Sequence, residues 1–106
     1  MEISFEKEYL EFMYENGKSK NKKNFYQKDI IKRYIQTIDK LRAAERIEDL
    51  FQINSLNYEV LKGDKKGIES VRVNKQYRIE FKSSVNEDGI NSFTICSIIE
   101  LSNHYK

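Results

Sequence analysis

Proline is absent from the 106-residue chain, cysteine and histidine occur once each, and glycine occurs four times. Without proline, helices have to end at Gly, Asn and capping residues. A lone Cys96 makes neither an internal disulfide nor a zinc site, and points to a reducing cytoplasm. One His with one Cys does not complete a transition-metal site. Glycines 17, 63, 67 and 89 lie too far apart for a loop that cradles phosphate. No run of about 18 apolar residues occurs, which excludes a membrane-spanning helix. The opening Met1-Glu2-Ile3-Ser4-Phe5-Glu6 is acidic and interrupted, unlike a secretory leader. The expectation is a soluble cytoplasmic protein with no metal, no cofactor and no membrane partner.

What is present is aromatic and charged. Seven Tyr and six Phe in a chain that is 39% hydrophobic and 34% charged are more aromatic residues than a disordered chain carries. They suffice for one small core, and the length predicts a single domain over 1–106. The net charge of +2 conceals a division. Residues 1–17 hold five Glu against Lys7, whereas residues 18–42 hold nine Lys and Arg against Asp29 and Asp39. The balance turns acidic over 43–61, basic over 62–82 and acidic again to the end. Two basic blocks parted by acidic ones form a basic face if folding brings them together. Taken alone, Lys18-Ser19-Lys20-Asn21-Lys22-Lys23 reads as a solvated loop.

The hydrophobic period changes along the chain. Ile3 and Phe5 alternate as in a short strand. Tyr9, Phe12 and Met13 form a helical stripe that stops at Asn16-Gly17. Ile31, Tyr34, Ile35, Ile38 and Leu41 predict an amphipathic helix from about Asn24 to Ala44, and Ile47, Leu50 and Phe51 a further helical turn. After residue 57 the period is two. Val71 and Val73, then Tyr77, Ile79 and Phe81, alternate with polar residues around a tight reversal at Asn74-Lys75-Gln76, a β-hairpin. Glu87-Asp88-Gly89 marks a turn, and Ser92 to Leu101 a last strand. The predicted class is α+β, with the N-terminal helical pair packed on one face of a small twisted antiparallel sheet. Val71, Val73, Ile79 and Phe81 then face the helices, leaving Arg72, Arg78 and Lys82 on an open face suited to phosphate.

Familiar chemistry is mostly missing. Cys96 lies in an apolar strand, as a core residue would, and Glu87-Asp88 solubilise a turn. The stretch from Tyr58 to Phe81 is more specific. Its Leu61-Lys62-Gly63-Asp64, the following Gly67, the strand Ser70-Val71-Arg72-Val73-Asn74 and the strand Tyr77-Arg78-Ile79-Glu80-Phe81 resemble the HigB branch of the RelE/ParE toxin superfamily. Asn103-His104-Tyr105 looks like that branch's terminal motif, usually Asp-Tyr-His. The likeness is strong over about 55–106, and the order of elements upstream agrees with it.

The resemblance implies a RelE-like fold and the toxin of a type II toxin–antitoxin pair. The implied activity is ribosome-dependent mRNA cleavage that stops translation. The implied partners are the 70S ribosome with bound mRNA, a HigA-type helix-turn-helix antitoxin, and operator DNA through that antitoxin alone. Metal-free RNA cleavage needs a base for the 2′-OH, cations for the crowded phosphate and an acid for the departing 5′-oxygen. Arg78 matches the family's strand arginine and is the expected phosphate clamp. His104 is the expected acid or base, and Tyr105 stacks on a base or positions the phosphate. Glu59 stands where several members carry a His, and takes the part of base. Lys62, Arg72, Asn103 and Lys82 are expected substrate contacts. The terminal order is altered and its carboxylate is an amide, which leaves two alternatives: a ParE-like toxin that blocks a protein target such as DNA gyrase, and an inactive antitoxin-binding module.

Overall fold

The computed structural model describes residues 1–88 and 91–103. The chain runs through strand β1 (Glu2–Phe5), helix α1 (Glu8–Asn16), helix α2 (Lys28–Ala43), 3-10 turns at Ile47–Gln52 and Asn54–Leu56, and strand β2 (Glu59–Val60). A third 3-10 turn (Gly63–Lys65) precedes strands β3 (Glu69–Arg72), β4 (Arg78–Asp88) and β5 (Asn91–Ser102).

The helices end where the local chemistry requires. α1 stops at Gly17, whose left-handed φ of 70° lets its N–H return to the Met13 carbonyl, a conformation that costs glycine little. Leu10 and Met13 are the buried residues of α1, while Tyr9 and Phe12 of the expected stripe are half-buried. α2 starts at Lys28 rather than Asn24 and buries Ile30, Ile31, Tyr34, Ile38 and Leu41; Ile35 is half-buried at the margin. The buried Tyr34 hydroxyl donates to the Leu10 carbonyl at 2.9 Å, tying the two helices together.

The five strands lie in the order β1-β5-β4-β3-β2. β2, β3, β4 and β5 pair antiparallel as expected, but β1 pairs parallel with β5, Ile3 opposite Cys96 and Phe5 opposite Ile98. The sheet is therefore mixed rather than wholly antiparallel. Two helices intervene between β1 and the rest of the sheet, so no tight hairpin dictates the direction of β1. The expected reversal at 74–76 is present: Asn74 Oδ1 accepts from the N–H groups of Gln76 and Tyr77, each at 2.8 Å, an Asx turn. Val71, Val73, Ile79 and Phe81 are buried and share one core with Ile98 and the apolar face of α2. One face of the sheet is thus committed to the helices, and the opposite face carries Ser70, Arg72, Arg78, Glu80 and Lys82.

Candidate functional site

On the face away from the helices, register sets two rows of side chains across the strands. Glu59 of β2 lies opposite Ser70 of β3, which lies opposite Glu80 of β4. In the next row Arg72 lies opposite Arg78, which lies opposite Ser102 of β5. Residues paired across a ladder point to the same side, so Arg78 sits within a polar cluster made by three strands. A β-bulge interrupts β4–β5 pairing between Glu80 and Phe81; such irregularities re-aim side chains and recur beside active sites.

The cluster is not open to solvent. Ser70 is 0%, Glu80 1%, Ser102 3% and Arg78 4% exposed. Arg78 was expected to project freely; instead its Nε donates to Ser70 Oγ at 2.9 Å, and one terminal nitrogen donates to the carbonyls of Asn57 and Ser70. The cover comes from the chain between the second 3-10 turn and β3. Asn57, with φ 43° and ψ 57°, is the non-glycine residue in left-handed conformation among those described, and that turn delivers its carbonyl to the guanidinium. Asn tolerates this region better than most side chains. Gly63 and Gly67, with φ of 70° and 88°, carry the chain around the third 3-10 turn. That turn places Lys65 Nζ 2.8 Å from Glu80 Oε2. Gly63 of the Leu-Lys-Gly-Asp stretch and the following Gly67 thus occupy positions that a side chain would strain.

The other expected residues divide by place. Glu59 is exposed on β2, one row from Arg78. Lys62 is exposed just before the third turn, and Lys82 is exposed on β4 opposite Ser97. Asn103 is exposed directly after Ser102, the register partner of Arg78. His104 and Tyr105 lie outside the described residues. Arg72 is exposed beyond the end of β2 and lines a groove of about 770 Å³ with residues of α2 and of the 74–76 turn. Cys96 is fully buried, and burial with the nearby Glu69 carboxylate pushes its thiol up to about 12, which removes it as a nucleophile.

A family model, the RelE-like toxin of the type II toxin–antitoxin system HigB, matches residues 3–94. The chain belongs to the HigB-like toxin family. Its fold is that of the wider group. A structure described as a YoeB/ParE toxin from Agrobacterium tumefaciens aligns over 99% of this chain and 100% of its own, with a TM-score of 0.52 and 19% identity. A search of curated proteins finds no match. A type II toxin has an antitoxin as its partner, and that much follows from the family. Among the described residues no helix is long and apolar enough to cross a membrane.

Reasoning from sequence named Arg78 in this HigB-like toxin but missed Asn57 and Ser70, which hold it, and the residues alongside, its register partner Ser102 and the Lys65–Glu80 pair. Ser70 and Glu80 carried a signal, since they occupy the same alternate positions as Arg72 and Arg78 in their strands. Asn57 and Lys65 carried none, because their contacts with β4 span 21 and 15 residues through loops. A second buried carboxylate belongs to the core face instead. Glu69 accepts from the Tyr58 hydroxyl at 2.6 Å and from the backbone and side chain of Ser83, so its burial is satisfied.

Proposed function

We propose that this toxin is a ribosome-dependent mRNA endoribonuclease that inhibits translation. In this reading the 2′-OH of the substrate attacks the adjacent phosphodiester, and the 5′-oxygen leaves with a proton from the protein. The observation that carries the reading is the guanidinium of Arg78, anchored by Ser70 and Asn57 next to Ser102, two residues before His104. A held guanidinium meets the phosphorane without the entropy of ordering a long side chain, and its charge acts more strongly in a buried setting than in water. The phosphorane bears more concentrated charge than the ground state, so a fixed cation lowers the barrier selectively. Glu59 takes the 2′-OH proton or orients the group that does, His104 serves as acid or base, and Tyr105 stacks on a base or positions the phosphate. Lys62, Lys82 and Asn103 contact the flanking backbone. No step calls for a metal.

The partners in this reading are the 70S ribosome with bound mRNA and a HigA-type helix-turn-helix antitoxin, through which alone operator DNA is reached. The test uses the full chain on programmed 70S ribosomes with mapping of mRNA ends. Cleavage is expected, and a 2′-deoxy substitution at the cut nucleotide should abolish it. Intact mRNA in the presence of soluble toxin that still binds its antitoxin overturns the reading. The burial of Arg78 favours one second reading, in which the same fold blocks a protein target such as DNA gyrase. Inhibition of supercoiling by a chain that cuts no mRNA would establish it.

A further inference from the structure

The groove that receives Arg72 lies between α2 and the turn joining β3 to β4; it adjoins the Arg78 cluster through the Arg72–Arg78 register pair but is lined by none of Ser70, Arg78, Glu80 or Ser102. Four cations line it: Arg33 and Lys40 from α2, Arg72 from β3 and Lys75 from the turn, with Asp29 as the opposing acid. All four are exposed. Among the described residues none of the four lies in an ion pair, and none of their side chains makes a hydrogen bond. The eleven lining residues carry a net charge of +3, more than the +2 of the whole chain. Charge gathered in a concave surface focuses its field and raises the local concentration of anions.

The lining also says which kind of anion fits. Val73 is the one apolar residue of the eleven, so an acidic protein segment would find no pocket for the apolar anchors that dominate protein interfaces. Two guanidinium forks and two ammonium groups with polar neighbours suit phosphate oxygens. Arg33 and Lys40 are two helical turns apart on α2, a rise of roughly 10 Å, over which a nucleic-acid strand presents more than one phosphate.

We infer that this groove is a docking site for a phosphodiester backbone, read without regard to sequence and adjoining the Arg78 cluster. The source as RNA rests on the proposed function; the anion chemistry does not. In that setting the groove holds a stretch of backbone outside the cleavage site and adds affinity rather than chemistry.

The test is binding of a labelled, uncleavable 2′-O-methyl RNA 12-mer to the full chain over a salt series, with DNA of the same sequence in parallel. The variant is Arg33→Gln/Lys40→Gln/Arg72→Gln, checked for an unchanged far-UV spectrum and melting temperature. Affinity is expected to fall at least tenfold at low salt. The slope of log K against log salt should become shallower by about 2, at roughly 0.7 per lost phosphate contact on a single strand. Binding to RNA above that to DNA identifies RNA as the source, and equal losses on both assign the groove to phosphodiesters generally. Unchanged affinity and slope overturn the proposal, as does a variant that loses antitoxin or polyglutamate binding but keeps RNA. Because the RNA cannot be cut, the outcome stands apart from the nuclease reading: wild-type RNA affinity in the variant of an active nuclease defeats the groove alone, and lost affinity in a chain that cuts nothing defeats the nuclease alone.

Discussion

Replacing Arg78 by Met separates its structural work from its chemical work. Arg78 is 4% exposed, and the hydrogen bonds of its guanidinium include those to Ser70 Oγ at 2.9 Å, to the Ser70 carbonyl at 3.3 Å and to the Asn57 carbonyl. Alanine is a poor probe at such a site, because it opens a cavity as well as removing the donors. Methionine fills most of the stem volume, leaving chiefly the lost donors. A hydrogen bond to a charged group contributes about 1.5–3 kcal/mol, and Ser70 can turn its hydroxyl to another acceptor. The net cost is then about 3 kcal/mol, within the roughly 5–15 kcal/mol of a small domain. That corresponds to a fall in Tm of roughly 15 °C. Loss of one preorganised donor to the phosphorane should separately lower kcat/KM on programmed ribosomes on the order of 100-fold, about 2.7 kcal/mol. Arg78→Lys should recover part of the rate, since a point charge lacks the planar fork. Urea denaturation followed by circular dichroism measures the first quantity, and mRNA cleavage well below the transition measures the second. Wild-type stability in Arg78→Met would refute the anchoring argument. Full cleavage by the folded variant would remove Arg78 from the reaction, and activity that merely tracks the folded fraction would make it a structural residue alone.

Other outcomes test the packing and the ionisations. Ile38→Ala, at a fully buried position on α2, should cost roughly 2–5 kcal/mol, read as a lower denaturation midpoint; an unchanged midpoint would show that the face of α2 is misassigned. Cys96, its thiol pushed up to about 12, should resist iodoacetamide in the native protein at pH 8 and react once the chain is unfolded. Burial holds the phenols of Tyr26, Tyr34 and Tyr58 well above their ordinary value of 10.0, with the Glu69 carboxylate adding to the effect at Tyr58. Above pH 10 the unfolded chain releases these protons while the fold retains them, so stability is full below pH 10 and falls as pH rises. The fully buried Tyr34 alone contributes a slope of about 1.4 kcal/mol per pH unit there. Tyrosinate absorbance from these three residues should appear together with unfolding; an earlier rise would contradict their burial.

By itself the sequence determined which residues alternate and which recur at helical spacing. From that followed the α+β class, the helix–sheet core of Ile31, Ile38, Val71, Ile79 and Phe81, the tight reversal at Asn74-Lys75-Gln76, and the sheet face on which Arg78 lies. These features are local: periodicity chooses a face, and turn residues choose a reversal, within a few positions of one another. Tertiary structure decided what no period encodes. β1 and β5 lie about ninety residues apart in the chain, and alternation of Ile3 with Phe5 is the same for either strand direction, so parallel pairing was settled by where the helices leave β1. Whether a sheet face stays open depends on what later crosses it. Asn57 and Lys65 do so through contacts with Arg78 and Glu80, turning an expected surface arginine into a buried, anchored one. Arg72 and Arg78 are neighbours in register and equivalent in pattern, yet one is buried in the polar cluster and the other lines the basic groove. The difference arises because β2 ends before Arg72 and the loop covers Arg78, and both facts belong to the folded molecule.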